Sequence, residues 1–287
     1  MEINHLSDYI KYIEQFTEGY YHSHLFLFRG EAKADYTLIP ALYRTTTSQD
    51  ITYKIYMESD CERSIIHQFI TEAMSYADSI STEDIFRWVQ YAQHFGVPTR
   101  LLDWTANPLV ALYFACCSNP QANGKIYILH PDLYAQIVNK DNKNNMIGKT
   151  IKDEVYKTIW EKEKTFSYPI IFKPYYFDKR MSAQSSWFMV WGERKKPLDK
   201  IIEELEMSGK GSSWFRVRNK EGIIYETTQE DTALSSIVIP SDNKKMILHE
   251  LNRVNINKAT LFPGLDGIGA AVEWKNNASN LDIDEII

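Results

Sequence analysis

The sequence predicts an α+β fold, with a helical N-terminal part packed on a strand-rich C-terminal part. Three observations lead there. Helical and strand-type periodicities both occur, but without the regular alternation that a parallel α/β sheet requires. Leu109 to Cys117 is apolar all round, which demands a helix buried in a core. Strand-type runs then crowd the second half, at Pro169–Phe172, Trp187–Trp191, Trp214–Val217, Gly222–Thr227 and Ser235–Ile239.

The elements follow from local signals. Leu6, Ile10, Ile13 and Phe16 recur at helical spacing, with Ser7 or Asp8 as cap and Gly19 as stop. His24 to Phe28 reads as a short buried strand, closed by Arg29-Gly30 as its exit turn. Tyr36 to Tyr43, interrupted by Pro40, reads as extended loop. Asp50 to Ala77 has a long polar helical pattern. Thr82-Glu83-Asp84 opens another helix, with acids where the helix dipole prefers them and Gly96 at its end. On that helix Ile85, Trp88, Ala92 and Phe95 share one stripe, and Arg87, Gln90 and His94 another. Asn107 as cap and Pro108 in the first turn start the apolar helix. Gly124 to His130 alternates as a strand, Lys140 to Lys149 is a polar loop, and Asp153 to Lys164 has a helical pattern. Ser241-Asp242 caps a helix carrying Met246, Ile247, Leu251 and Val254, and a last helix follows Gly264. The whole reads as a single domain over 1–287: helical to about 120, strand-rich over about 121–273, and a polar tail over 274–287.

Composition narrows the function classes. With 44% hydrophobic and 24% charged residues among 287, the chain has a core and is not predominantly disordered. Its 13% aromatic content suits a packed interior or a groove that stacks on planar ligands. A net charge of −6 argues against a surface that coats nucleic acid throughout. The three cysteines, Cys61, Cys116 and Cys117, do not form a disulfide framework, since two are adjacent in an apolar run. The N-terminus lacks a signal-peptide pattern and the longest apolar run, Pro108 to Cys117, is too short to span a bilayer, so a cytoplasmic protein without membrane contact is expected. No metal is expected, because His22 and His24 lack partners at ligand spacing.

The segment richest in chemistry runs from Gln93 to Pro108, where His94, Arg100, Asp103, Trp104 and Thr105 link a helix to the buried one. Charged residues beside a core need partners or a ligand. Two readings stand. In one, Arg100 and Asp103 pair with each other and Thr105 helps to cap the helix. In the other, Arg29 and Arg100 converge on the start of the buried helix near Asn107, where free N–H groups favour an anion such as a phosphate. Asp103 then orients an arginine or contacts a ribose hydroxyl. His94 is either a general base or a cap of its helix end. Further on, Arg194, Lys195, Lys196, Lys210, Arg216, Arg218 and Lys220 lie among Trp187, Trp191 and Trp214. They make either a nucleic-acid face or a solvated basic surface over core tryptophans.

Phe28-Arg29-Gly30-Glu31, Leu38 to Arg44, Gln93 to Thr105 and Asn107 to Ala115 together resemble the FRG domain family, with weaker echoes at Arg180 to Gln184 and Thr260 to Gly267. Ser185-Ser186 departs from the family, which commonly has a glycine near that point. A more distant resemblance joins the chain to ADP-ribosyltransferases and implies an ADP-ribosyltransferase-like core. Phe28-Arg29-Gly30 is similar to the aromatic-Arg-Gly that ends their first core strand. Asp103-Trp104-Thr105 running into Val110 to Ala115 is similar to their Ser-Thr-Ser and helix, although the Ser-Thr-Ser itself is absent. Gln184 and Glu226 both stand for the residue that completes such a site.

The resemblance implies NAD as a substrate and a site in which Arg29, Gly30, Arg100, Asp103, Thr105 and Asn107 bind the nucleotide. Glu226, Gln184 and His94 would do the chemistry, on a protein or nucleic-acid acceptor or on water. A carboxylate such as Glu226 would stabilise the oxocarbenium-like state formed when the nicotinamide–ribose bond breaks. Such an enzyme would serve as a toxic effector in stress or phage defence. The rival expectations are a non-catalytic nucleotide sensor and a nucleic-acid-binding protein.

Overall fold

A computed structural model describes residues 3–17, 25–48, 51–54, 59–77, 80–139, 166–207, 216–218, 224–226 and 232–277. Six antiparallel strands form one sheet: β1 (Leu27–Glu31), β4 (Leu101–Thr105), β5 (Gly124–Leu129), β6 (Ile170–Phe172), β7 (Ser186–Val190) and β10 (Leu234–Ile239). Their order is β10–β5–β1–β4–β7–β6. Two separate ribbons pair β2 (Thr45–Ser48) with β3 (Ile51–Lys54) and β8 (Arg216–Arg218) with β9 (Ile224–Glu226). Among the described helices are α1 (Leu6–Thr17), α2 (Ser59–Ala73), α3 (Ile85–His94), α4 (Pro108–Cys116), α5 (Pro131–Asn139), α6 (Lys179–Ala183), α7 (Leu198–Met207), α8 (Lys244–Arg253), α9 (Lys258–Leu261) and α10 (Leu265–Asn276).

The two faces of the sheet are covered differently. On one, Leu27, Leu102, Trp104, Tyr127, Leu129, Trp187 and Met189 form a single core with α5 and α7. On the other, the cover is in two pieces. Helices α1, α4 and α8 pack on Phe28, Ile126, Ile128 and Ile237, while α2 and α3 pack on Leu101, Ile170, Phe188 and Val190. The seam between these groups lies over β1 and β4, and the sheet itself opens there. Strand β1 pairs with β5 along its whole length, from Leu27↔Leu129 to Glu31↔Lys125, but meets β4 in register only at Phe28↔Thr105.

The α+β class is what the structure has. The division into a helical and a strand-rich part is not, because the sheet takes β1 and β4 from before residue 120 and four strands from after it. Arg29 and Gly30 do not form an exit turn. They lie inside β1, opposite Tyr127 and Ile126. The stretch from Leu101 to Thr105 is a strand, not a link, since pairing with β7 places four of its five residues in the core and leaves only Asp103 open. The pattern from Asp50 to Ala77 contains the β2–β3 ribbon's second strand before α2, and α7 has no counterpart in the sequence reading. The helix expected over Asp153 to Lys164, the loop at Lys140 to Lys149 and the residues His22, His24, Lys210, Trp214 and Lys220 lie outside the described residues.

Helix α4 is the centre of the fold. Asn107 caps it, its side-chain oxygen accepting from the N–H of Leu109 at 2.9 Å, and Pro108 opens the first turn. Val110, Ala111, Leu112, Tyr113, Ala115 and Cys116 are buried. Gly30 lets the strand touch this helix: a Cβ there would sit 1.9 Å from the carbonyl oxygen of Ala111. Beyond the helix, the ammonium of Lys244 is buried and donates to the carbonyls of Ala32, Ser118 and Asn119 at 2.7, 3.2 and 3.1 Å. Burial lowers its pKa. Among the described residues, no helix is long and apolar enough to cross a membrane.

Candidate functional site

The opening between β1 and β4 is the floor of a cleft of about 440 Å³, within the range of small-molecule sites. Strand β1 contributes Arg29, Gly30 and Glu31, and β4 contributes Asp103, Trp104 and Thr105. The end of α3 supplies Gln93 and His94, α6 and its exit supply Arg180 and Gln184, and Phe114 and Phe262 form an aromatic wall. These rings meet edge to face at 6.1 Å.

Arg29 spans the opening. Its Nε donates to Glu31 Oε1 at 2.7 Å and a terminal nitrogen donates to the backbone oxygen of Asp103 at 2.6 Å. The Asp103 carboxylate stands 3.9 Å from the same guanidinium and accepts from Gln93 Nε2 at 2.8 Å. Gln93 is held in turn by the Thr99 hydroxyl at 2.7 Å. Glu31 and Arg29 sit two residues apart, so the strand's period of two puts both on one face. Asp103 lies deep among protein atoms, yet its side chain is 55% exposed to the cleft. Burial raises its pKa above the ordinary carboxylate value, and Arg29 is the main opposing charge.

His94 is nearly buried, with Nε2 3.1 Å from Asp178 Oδ1. Burial lowers its pKa; Asp178 opposes this and Arg180 adds to it. Loss of solvation outweighs the carboxylate, which favours the neutral ring, the form a proton acceptor needs. Thr105 donates to the backbone oxygen of Gln184 at 2.6 Å and accepts from the N–H of Asn107 at 3.0 Å. It thus joins the end of β4 both to the α4 cap and to the turn after α6. Gln184 Nε2 donates to the backbone oxygen of Leu261 at 2.9 Å. The next residue, Ser185, has φ of 48°, a left-handed conformation that glycine adopts without strain. The indole N–H of Trp104 is buried and without a hydrogen-bond partner among the described residues.

Six of the nine residues singled out in the sequence therefore share the cleft: Arg29, Gly30, His94, Asp103, Thr105 and Gln184. Two are elsewhere, and the side chain of Glu226 lies outside what the structure describes. Arg100 is a correction: it does not meet Arg29 or pair with Asp103. Its guanidinium is buried against Glu62, which accepts from Arg100 Nε at 2.6 Å and from its backbone N–H at 2.9 Å. Arg100 immediately precedes β4, and Glu62 of α2 holds it inward. Asn107 is also a correction, because its side chain is occupied in capping α4 and does not line the cleft. Glu226 belongs to the β8–β9 ribbon, not to the six-stranded sheet. Sequence reasoning missed Glu31, Gln93, Arg180 and the Phe114–Phe262 wall. Arg180 and Gln184 had a usable signal, since residues four apart share one side of a helical turn.

Only part of the basic, tryptophan-containing face lies within the described residues. Trp187 and Trp191 are core residues, and Arg194 and Lys196 both contact Glu204, at 3.3 and 2.6 Å. Among the described residues, no group of three or more His, Cys, Asp or Glu could hold a metal.

Fold and site together define an α+β domain whose cleft, of mixed charge, opens through an antiparallel sheet. The family model of the FRG domain matches residues 24–124 of the chain. That match runs from just before β1 to the start of β5 and holds Arg29, Glu31, Gln93, His94, Asp103 and Thr105, whereas Arg180, Gln184 and Phe262 come from beyond it. Searches of the curated proteins and of the solved structures returned no match.

Proposed function

We propose that the cleft binds NAD and breaks its nicotinamide–ribose bond, as an ADP-ribosyltransferase or NAD glycohydrolase does. The observation that carries this reading is the convergence of Arg29, Asp103 and Gln184, from distant parts of the sequence, on one cleft with His94 at its edge. The aromatic wall suits a planar carboxamide-bearing ring. As the glycosidic bond breaks, its electron pair leaves with nicotinamide and positive charge develops on the ribose. Asp103 is the carboxylate open to that charge. It takes the part that the resemblance implied for Glu226. A water or acceptor hydroxyl then attacks the ribose carbon and gives its proton to neutral His94. Arg29, clamped by Glu31 and Asp103, keeps the two strands at fixed separation. Acting on the cytoplasmic NAD pool or on a protein or nucleic-acid acceptor, this activity would make the chain a toxic effector of stress or phage defence.

Calorimetry with NAD and chromatography of released nicotinamide test the reading. Asp103→Asn is expected to keep NAD binding while slowing nicotinamide release by about a hundredfold, the scale of removing one charge-stabilising group. Absence of NAD binding by the parent overturns the proposal. The engagement of both cleft carboxylates with Arg29 or Gln93 favours a second reading, a sensor that binds the nucleotide without turnover. NAD binding without nicotinamide release would establish it.

A further inference from the structure

The geometry points to Arg180 as the anchor for a phosphoryl group of the cleft's ligand. The inference rests on the nucleotide reading above and names the group that recognises the nucleotide's charge. Three arginines were available to the sequence argument or the cleft, and their surroundings separate them. Arg100 is sealed against Glu62. Arg29 faces two carboxylates, those of Glu31 and Asp103, so its positive charge is set against two negative ones and the group as a whole repels an anion. Arg180 lines the same cleft, and its guanidinium makes no hydrogen bond or ion pair with any described residue. The nearby Asp178 carboxylate accepts the Arg180 backbone N–H at 2.7 Å and lies against His94, so it is turned to other partners.

Two aromatic rings hold the free guanidinium in place. Its central carbon lies 5.7 Å from the ring centroid of Phe95 and 5.7 Å from that of Phe262, a cation–π distance in each case. Cation–π contacts of this kind use none of the guanidinium N–H groups as hydrogen-bond donors. Those N–H groups are what binds a phosphate in bidentate fashion, and holding the side chain between two rings beforehand reduces the ordering cost of doing so. Phe262 also belongs to the aromatic wall, so an anion at Arg180 and a planar ring at Phe114 and Phe262 would be neighbours. A ring joined to a phosphate through a sugar is the ligand chemistry this arrangement fits.

Nicotinamide mononucleotide and nicotinamide riboside differ only by the phosphate, and inorganic pyrophosphate carries the anion alone. Calorimetry on the full chain with these three probes tests the proposal. The parent is expected to bind the mononucleotide at least about tenfold more tightly than the riboside, and Arg180→Gln should bring the two within about twofold. Arg180→Lys should recover only part of the difference, because an ammonium keeps the charge and loses the fork. If the parent binds the mononucleotide or pyrophosphate and Arg180→Gln leaves that affinity within about twofold, the anchor is overturned while the NAD reading stands. If pyrophosphate binding depends on Arg180 but nicotinamide adds nothing, the anchor stands and the NAD reading falls. If none of the three probes binds the parent, the anchor is overturned.

Discussion

Replacing Gly30 by alanine separates two roles for the glycine of the Phe-Arg-Gly motif. A Cβ at this position would lie 1.9 Å from the Ala111 carbonyl oxygen and 2.7 Å from the Ala115 nitrogen. Ordinary contact requires about 3.5 Å, so strand and helix must separate by about 1.5 Å. Neither can do so easily. Gly30 is paired to Ile126 in β5, whose own Gly124 approaches α4 so closely that a Cβ there would sit 2.4 Å from the Ala115 oxygen. On its far side, α4 is tied to α1 by the Tyr9 hydroxyl, which donates to the Pro108 oxygen at 3.1 Å. Overpacking costs typically about 1–3 kcal/mol, and a clash with backbone at the centre of the fold belongs at the top of that range. At about 2 °C per kcal/mol for a chain of this size, Gly30→Ala should lower the melting temperature by about 6 °C. Thermal melting followed by circular dichroism, with NAD calorimetry on the folded variant, is the assay. If the melting temperature stays within about 1 °C of the parent while ligand binding is lost, Gly30 serves the ligand and the packing argument is wrong.

Glu62→Gln should destabilise the protein by about 3–5 kcal/mol in denaturant titration, because it leaves the buried Arg100 charge without its carboxylate; a loss below about 1 kcal/mol would place the pair in solvent. Lys244→Met should cost about 1–3 kcal/mol, since three carbonyls lose their donor in a buried site, and a neutral or stabilising result would refute that account. For His94, the folded pKa lies below the unfolded value of 6.5, so the unfolded chain binds the extra proton first. Its contribution to stability is therefore complete above pH 6.5 and is lost as pH falls from there through the folded pKa. The denaturation midpoint of His94→Gln should accordingly fall less than the parent's below pH 6.5; equal slopes would remove His94 as the cause. Leu112→Asp should prevent soluble folding, as it puts an unpaired charge in the middle of α4, and a normal melting curve would show that this helix is not central.

Much of the architecture was legible from neighbouring residues. Asn107-Pro108 and the apolar run after it predict α4 because cap, first-turn proline and burial of all faces are local requirements. Asp84 accepting from the Arg87 N–H, and Gly96 with φ of 81°, likewise mark the ends of α3 where the sequence places them. The stretch from Leu101 to Thr105 looks like a link in the sequence because a charged residue interrupts a short apolar run. It becomes a strand only when β7 supplies hydrogen-bond partners from some eighty residues away in the chain, as in the pairing of Thr105 with Ser186.

The α+β class, the buried helix and several of the cleft's polar residues are legible along the chain, because they are written in capping signals, periodicities and compact motifs. What each arginine does depends on folding. Arg29, Arg100 and Arg180 carry the same group, and their fates are set by carboxylates and rings brought up by folding. Glu62, 38 residues before Arg100, takes that arginine out of the cleft. Asp103, 74 residues after Arg29, closes the cleft floor. Phe262 reaches Arg180 from a different part of the chain. Charge and hydrogen-bonding partners act through space over a few ångströms, whereas a sequence pattern reports only what lies within a turn or two along the chain.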